Sequence, residues 1–429
     1  MSYPVPRALG RTLRALSAAL LGTAALSGCS YIPWLGGEKD PSPPAKLVPV
    51  AAEVGVQTLW TTKIGSGTRK RQLALVPALY GDRLFIADAD GTVAAVASAD
   101  GRVQWQRKTD LALSAGPDAD GRQLVLGTST GLVVALSPTD GSQIWSANVE
   151  SEVLAVPRID GDLVVVHTLD DSVYGLDAAT GKQRWRFPYA APILTLRGSS
   201  SPVIADGAAL VGLSGGKLVK LDLANGVPVW EVTVTLPSGR SELERIADID
   251  ADPVVVGSTI YVGTYNGDLA AVDLASGDIL WRRTLSSHAG LAADTRDIFV
   301  TDSNDHVWAA QPSDGAGRWK QEQLTNRLLT APVLVGDYLV VGDLEGYLHW
   351  ISRRDGRLVG RAKVAGGAIT ARPVVSGGRI FVYADDGTLA ALTTGAASAE
   401  ERAKGAAVGG DGGVVKAPDL PSPSSAAAR

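Results

Sequence analysis

The side chains that most often carry catalysis are not arranged for it in this sequence. The single cysteine, Cys29, excludes an intrachain disulfide and a cysteine-based zinc cluster, and the four histidines are scattered, with no His-x-x-x-His metal pair. No Gly-x-Ser-x-Gly motif is present. Gly215-Gly216-Lys217 is followed by leucine instead of the hydroxyl residue of a phosphate loop. Aspartates such as Asp88 and Asp90 suggest calcium ligands but are more typical of turns. The sequence predicts no enzyme, metal or cofactor.

Cys29 stands where a lipid can be attached. Three arginines precede an apolar stretch, residues 15–26, which is shorter than the roughly 20 residues that span a bilayer and is typical of an export signal. Leu26-Ser27-Gly28-Cys29 resembles the lipobox of bacterial lipoproteins, in which the thiol takes a diacylglycerol. A plain signal peptide with an incidental cysteine is the alternative. We expect residues 1–28 to be removed and acylated Cys29 to anchor the protein in outer-membrane lipid; Ser30 in place of aspartate suggests the periplasmic face of that membrane.

Two further clusters combine apolar and charged side chains. Leu194 and Leu196 precede Arg197, and large apolar groups beside arginine are common at the centres of protein interfaces. Asp248 and Asp250 form a second cluster that can orient the arginine or meet a basic partner. The alternative is that the leucines only pack their loop onto the protein and the aspartates only cap turns. The residues alone leave both roles open.

A repeat must position these clusters. Each unit holds four short runs rich in Val, Ile and Leu, which are separated by Gly, Asp or Asn, and a four-stranded unit of about 40 residues is typical of a propeller blade. An apolar ring at the same place in every unit is expected to pack between neighbouring blades. The units end in Trp60, Trp105, Trp145, Trp185, Trp230, Trp281 and Trp319.

The number of units predicts how the ring closes. The eighth unit has three strands and no tryptophan, whereas Trp60 lies on a strand with no unit before it. We therefore expect an all-β fold, an eight-bladed β-propeller over residues 58–395, closed by an N-terminal strand that completes the last blade. The units begin near Pro77, Pro117, Pro157, Pro202, Pro253, Leu291, Pro332 and Pro373.

The repeat also shows which connections between units are longer than the others. The step from a tryptophan to the next unit is 12 residues after Trp105 and Trp145, but 17 after Trp185 and 23 after Trp230. These two long connections carry the leucine–arginine and aspartate clusters and emerge on one face. Long loops on a rigid scaffold are where function usually lies.

Composition outside the repeat predicts flexible termini and excludes one class of partner. Residues 29–57 are proline-rich and read as a lipidated tether, and residues 396–429, rich in Ala, Gly, Ser and Pro, as a disordered tail. The net charge is −5, and the three arginines of residues 1–28 leave −8 on the remainder. An acidic body argues against nucleic-acid binding, which needs a basic face.

The unit ending Asp177-Ala-Ala-Thr-Gly-Lys-Gln-Arg-Trp185 resembles the repeat shared by quinoprotein dehydrogenases and the BamB family of outer-membrane assembly lipoproteins. With the lipobox and eight units, the whole mature chain is similar to BamB proteins. Residues 192–198 resemble the family's Leu-x-Leu-Arg-Gly loop, and residues 244–253 its Asp-x-Asp loop.

The resemblance implies a non-catalytic lipoprotein scaffold of the outer-membrane β-barrel assembly complex. It implies that the two loops bind the periplasmic repeats of BamA, the barrel-inserting subunit, and it favours the interface role over loop packing. The site residues it implies are Leu194, Leu196, Arg197, Asp248 and Asp250. Unfolded outer-membrane proteins are a further expected partner, through strand edges.

Two alternatives come from other classes of protein. A quinoprotein dehydrogenase is usually longer, holds a metal through acidic and amide side chains, and often carries a vicinal disulfide, which one cysteine cannot form. A generic peptide-binding periplasmic propeller is the second alternative, and the sequence does not separate it from a scaffold.

Overall fold

The short apolar runs of the repeat form β-strands, because Val, Ile and Leu favour the pleated, buried surface of a sheet. The structure is a computed structural model, and it describes residues 42–69, 71–192, 194–238, 240–241, 244–398 and 414–422. The predicted signal peptide, Cys29 and the tether up to residue 41 therefore lie outside the described residues. Across the described ranges no helix is long and apolar enough to cross a membrane.

The first half of the chain forms two separate strands and four blades. The separate strands are β1 (Val54–Lys63) and β2 (Ala74–Leu75). Blade 1 comprises β3 (Ala78–Tyr80), β4 (Arg83–Ala87), β5 (Thr92–Ala97) and β6 (Val103–Lys108). Blade 2 comprises β7 (Leu113–Ala119), β8 (Leu124–Thr128), β9 (Leu132–Leu136) and β10 (Gln143–Asn148). Blade 3 comprises β11 (Arg158–Asp160), β12 (Leu163–His167), β13 (Val173–Asp177) and β14 (Gln183–Phe187). Blade 4 comprises β15 (Val203–Ala205), β16 (Ala208–Leu213), β17 (Lys217–Asp222) and β18 (Pro228–Thr233).

The second half repeats the pattern. Blade 5 comprises β19 (Val254–Val256), β20 (Thr259–Gly263), β21 (Asp268–Asp273) and β22 (Ile279–Thr284). Blade 6 comprises β23 (Gly290–Ala293), β24 (Ile298–Thr301), β25 (Val307–Ala310) and β26 (Gly317–Gln321). Blade 7 comprises β27 (Val333–Val335), β28 (Tyr338–Gly342), β29 (Tyr347–Ser352) and β30 (Leu358–Lys363). The last strands are β31 (Val374–Ser376), β32 (Arg379–Tyr383), β33 (Thr388–Ala396) and β34 (Val414–Lys416).

The strands group into eight sheets, which confirms the predicted eight-bladed propeller. Each blade is an antiparallel meander of consecutive strands, and the outermost strand of blade 8 is β1, paired with β33 in the order β1-β33-β32-β31. Strand β2 pairs in parallel with β7 at the inner edge of blade 2. The core consists of eight clusters, each drawn from two neighbouring blades, and one of them joins blade 8 to blade 1.

The repeat tryptophans of seven blades pack against the following blade, which confirms their assignment to the core. Trp145 of blade 2 donates its Nε1–H to the carbonyl of Ala178 in blade 3 at 2.8 Å. Its ring packs on Gly181, where any Cβ would come within 2.5 Å and where φ is +71°, so both space and backbone demand glycine. The same indole hydrogen bond is made by Trp60, Trp105, Trp185, Trp230, Trp281 and Trp319.

Both termini are more ordered than their composition predicts. Strand β1 begins at Val54, not at residue 58, and the tether contacts blade 7: the N–H of Glu53 donates to the carbonyl of Val359 at 2.8 Å. Within the predicted disordered tail, β34 pairs antiparallel with β26 as a fifth strand of blade 6. The prediction of disorder is therefore wrong for residues 414–422, because Ala417 and Leu420 bury their side chains against the propeller.

Candidate functional site

The two long connections are successive: the first joins blade 3 to blade 4, and the second joins blade 4 to blade 5. Loop 1 (residues 188–202) joins β14 to β15, and loop 2 (residues 234–253) joins β18 to β19. The structure describes both loops except for residues 193, 239, 242 and 243. Both connect an outer strand to the inner strand of the next blade, so they emerge on the same face, as the sequence predicts.

Asp248 of loop 2 holds loop 1 in place. Its side chain is 2% exposed, and its carboxylate accepts the backbone N–H of Leu196 at 2.7 Å and that of Gly215 at 3.0 Å. A hydrogen bond to a charged acceptor contributes roughly 1.5–3 kcal/mol. Asp248 therefore joins loop 1, the β16–β17 turn and loop 2 through one buried side chain.

The aspartates that follow continue this contact along loop 1. The Asp250 carboxylate lies against Gly198, where any Cβ would come within 2.8 Å of Oδ1. Asp252 Oδ1 accepts the N–H of Ser201 at 2.6 Å. Every second side chain of the segment thus faces loop 1, while the intervening Ile249 is buried in the core between blades 4 and 5. This alternation is the period of an extended chain.

Arg197 forms its ion pair with a third connection. Its Nη2 lies 2.5 Å from Oε2 of Glu152, in the segment between β10 and β11. The two side chains are 49% and 36% exposed, so the pair lies at the protein surface. The aspartates of loop 2 do not orient the arginine as one sequence hypothesis held; Glu152 orients it.

The loops also carry exposed apolar side chains. Leu194 in loop 1 is 50% exposed and Leu236 in loop 2 is 52% exposed, whereas Leu196 is half-buried. Leu194 lies three residues before the half-exposed Arg197 in the same loop, and an exposed leucine beside an arginine gives the mixed apolar and cationic surface that is common in protein interfaces. The structure brings Leu194, Leu196 and Arg197 together on a fixed loop.

A buried histidine, His167 at the end of β12, is hydrogen-bonded to the backbone of loop 1. Nδ1 of His167 lies 2.9 Å from the carbonyl oxygen of Ser200, which can only accept, so this ring nitrogen carries a hydrogen. Nε2 lies 3.3 Å from Oδ1 of Asp171, whose Oδ2 accepts the N–H of Ser214 at 3.2 Å. Both ends of the imidazole are thereby engaged.

The carboxylates behind loop 1 are buried close to one another. Burial raises the pKa of Asp248, against the lowering effect of the two N–H groups it accepts. Burial, with the charges of Asp248 and Asp171, raises the pKa of Asp250 to about 7. Such perturbed groups are more frequent at functional sites than elsewhere, although structural clusters produce them too.

The inner strands enclose a cavity of about 430 Å³ that Asp250 and Asp252 help to line. Arg158 lies in it, 3.8 Å from Asp118 and 3.4 Å from Asp252. Arg372, which is exposed to solvent, also lines the cavity. In the part of the chain that the structure describes, no cluster of three His, Cys, Asp or Glu side chains could hold a metal.

Sequence reasoning missed three residues of this site. Glu152 lies on a connection of ordinary length and gave no signal. Leu236 gave only a weak one, as an apolar residue in a long loop. Asp252 was detectable, because it continues the spacing of Asp248 and Asp250 by two residues.

Known proteins match this chain over most of its length. The family model for outer membrane protein assembly factor BamB matches residues 43–112, 89–321 and 322–405. The outer membrane protein assembly factor BamB of Alkalilimnicola ehrlichii is 50% identical over 382 residues, 89% of this chain and 96% of the relative. The crystal structure of BamB from Moraxella catarrhalis is similar at a TM-score of 0.73 and 28% identity, covering 79% of this chain and 100% of that one.

An enzyme shares the fold alone. A quinohemoprotein alcohol dehydrogenase from Comamonas testosteroni is similar at a TM-score of 0.63 but 12% identity, covering 79% of this chain and 76% of that one. The assembly factors are more identical to this chain in sequence, and the relative from Alkalilimnicola ehrlichii also covers more of it. They confirm the resemblance found in the repeats. The chain belongs to the outer membrane protein assembly factor BamB family.

Proposed function

We propose that this protein is a non-catalytic scaffold of outer-membrane protein assembly, and that loop 1 is the centre of its contact with the periplasmic repeats of the barrel-inserting subunit. The observation that carries the proposal is the fixed geometry of loop 1. Its backbone is held by Asp248 and Asp252 while Leu194 and Arg197 remain exposed. A loop that is ordered before binding loses less entropy on association.

The surface suits a partner with both apolar and acidic groups. Leu194 and Leu236 offer apolar area, and Arg197 offers a planar guanidinium with five N–H donors, of which Nη2 contacts Glu152. A partner carboxylate can add to or replace that contact. Asp248 and Asp250 act in this proposal as positioning residues, because the buried Asp248 carboxylate accepts an N–H of loop 1 and the Asp250 carboxylate packs against Gly198 of the same loop.

The anchor and the location complete the proposal. The assembly-factor relatives support an outer-membrane association. We assign the anchor to acylated Cys29 and the location to the periplasmic face. A Cys29→Ser variant should move from the membrane fraction to the soluble periplasmic fraction; equal membrane recovery of the variant contradicts the anchor.

The test of the interface uses a triple variant and a matched control. We expect Leu194→Ala, Leu196→Ala and Arg197→Ala together to weaken binding to the purified periplasmic repeats of the barrel-inserting subunit by at least about thirtyfold, as for a hot spot worth about 2 kcal/mol. The control is Leu328→Ala, since Leu328 is 61% exposed on the connection between β26 and β27. Circular dichroism verifies that both variants fold. A folded triple variant that binds as tightly as the control contradicts the proposal.

A further inference from the structure

Blade 6 is unusual because a segment from the far end of the chain lies on its outer edge. Blade 6 is complete with β23 to β26, and β34 then adds a fifth strand to β26. The register pairs Trp319 with Lys416 and Gln321 with Val414. Among the described residues, no other blade carries a further strand on its outer strand. The tail segment, residues 414–422, also lies beyond residue 405, where the family match ends.

Two side chains of the tail segment are buried against the propeller. Ala417 is 5% exposed and lies directly over Gly317, where any Cβ would come within 2.8 Å of the Ala417 Cβ. Leu420 is 7% exposed and joins the apolar cluster that contains Trp281 and Trp308. The tail segment therefore inserts a small residue and, three positions later, a leucine.

The contact ends on the neighbouring blade. The N–H of Thr284, the last residue of β22, donates to the carbonyl of Pro421 at 2.9 Å. Nη1 of Arg283 donates to Oγ of Ser422 at 3.1 Å. The tail segment thus spans the outer strands of blades 6 and 5.

The sequence of blade 6 is adapted to this segment. Two positions before the repeat tryptophan, blade 6 has Gly317, which leaves room for Ala417. Other blades carry larger residues at the corresponding position of the repeat: Val103, Gln143, Gln183, Pro228, Ile279 and Leu358. A larger side chain at this position would occupy the volume that Ala417 fills. The glycine therefore allows the edge of blade 6 to accept an added strand.

We propose that the outer edge of blade 6 is a binding site for extended polypeptide, and that the tail segment is its intramolecular ligand. A partner segment with the same pattern takes the site in its place: a short apolar strand, then a small residue, proline and, three positions after the small residue, leucine. Strand addition supplies backbone hydrogen bonds, and the two inserted side chains supply selectivity. Most of the tail segment is exposed, so the contact is small and exchangeable. The proposal does not depend on the function proposed for loop 1.

The test compares two full-length variants. In the first, Ala417→Asp and Leu420→Asp disable the tail segment without changing the propeller. In the second, the matched control, Val415→Ser alters an exposed tail residue. The probe is a fluorescently labelled synthetic peptide of residues 414–422, and its binding is followed by fluorescence anisotropy.

We expect the disabled variant to bind the peptide on the order of tenfold more tightly than the wild type or the control, because a tethered segment competes at an effective concentration near millimolar. A peptide with Leu420→Asp should not bind, and Gly317→Val added to the disabled variant should abolish binding. Equal binding by the disabled variant and the wild type overturns the proposal. So does undiminished binding of the Leu420→Asp peptide, a readout that does not require Gly317→Val to fold. A wild-type chain that sediments as a dimer with exchanged tails overturns the intramolecular assignment.

Discussion

Two buried carboxylates, Asp343 in blade 7 and Asp248 behind loop 1, are both almost inaccessible to solvent and lie in opposite electrostatic surroundings. Burial alone would raise the pKa of Asp343, but hydrogen bonds from His349 and Arg327 and the N–H of Tyr347 lower it to about 2. Asp248 accepts only backbone N–H groups, and burial raises its pKa. The first carboxylate has cationic and polar partners on all sides, and the second has none that is cationic.

The histidine of blade 7 is hydrogen-bonded at both of its ring nitrogens. Nε of Arg361 can only donate, and it lies 3.1 Å from Nδ1 of His349, so Nδ1 accepts. The remaining nitrogen, Nε2, then donates to Asp343 at 2.9 Å. Burial lowers the pKa of His349, which favours this neutral form. The blade 7 cluster therefore stabilises the propeller. In the loop cluster, by contrast, the charges of Asp248 and Asp171 repel that of Asp250, and other interactions must offset this repulsion.

The largest effect should follow from breaking the blade 7 cluster. Arg327 is 2% exposed and contacts Asp343 at 2.7 Å. We expect Arg327→Ala to lower the free energy of unfolding by about 3–5 kcal/mol, because it leaves a buried charge without its partner. Urea denaturation followed by tryptophan fluorescence measures it. The control is Arg354→Ala, since Arg354 pairs with Asp355 at the surface; a loss no larger than the control's contradicts the assigned role.

A smaller effect should follow from releasing loop 1. Asp248→Ala removes the acceptor of two backbone N–H groups, and we expect a loss of about 1–3 kcal/mol in the free energy of unfolding. Hydrogen exchange should show faster exchange at the amides of Leu196 and Gly215. Asp140→Ala, at an exposed turn, is the matched control. Unchanged protection of the Leu196 amide would show that the loop is held by other contacts.

The two clusters should also differ in their response to pH. The pKa of Asp250 is about 7 in the folded protein, above its ordinary value, so the folded state holds the proton more tightly. Its contribution to stability therefore falls as pH rises from about 4 to 7, by at most about 1.4 kcal/mol per pH unit. The pKa of Asp343 is about 2, so its contribution is present above about pH 4 and is lost only as pH falls through 2.

Substitution of Asp250 tests that difference. We expect Asp250→Asn to flatten the fall in stability between pH 4 and 7 and to make the protein more stable than wild type at pH 8, by roughly 1–2 kcal/mol. Urea denaturation across this range measures it, with Asp110→Asn at an exposed position as the control. An unchanged pH profile means that Asp250 is ionised throughout the range.

The two regions also show what the sequence predicts and what it does not. Trp145 and its counterparts predict the blades, because a tryptophan that packs on a glycine of the next blade recurs at a regular spacing in the sequence. The lengths of the connections between blades predict the positions of loops 1 and 2. The partners of Asp248 are not predictable, because Leu196 and Gly215 are brought to it by the packing of different blades. The order of the tail was missed for a related reason: its composition cannot show that Gly317 leaves a space for it.

The smallest effect should come from the surface pair of loop 1. Glu152→Gln removes the charge opposite Arg197, and since both side chains are exposed by a third or more, we expect the free energy of unfolding to change by less than about 1 kcal/mol. The same change releases the Arg197 guanidinium from its ion pair. The affinity for the periplasmic repeats of the barrel-inserting subunit should therefore stay the same or increase, and any increase should be larger at low salt. Titrations at two salt concentrations measure it, with Glu150→Gln as the control on the same connection. Weakened binding would mean that Glu152 itself contacts the partner, and the centre of the interface would then move from loop 1 towards blade 3.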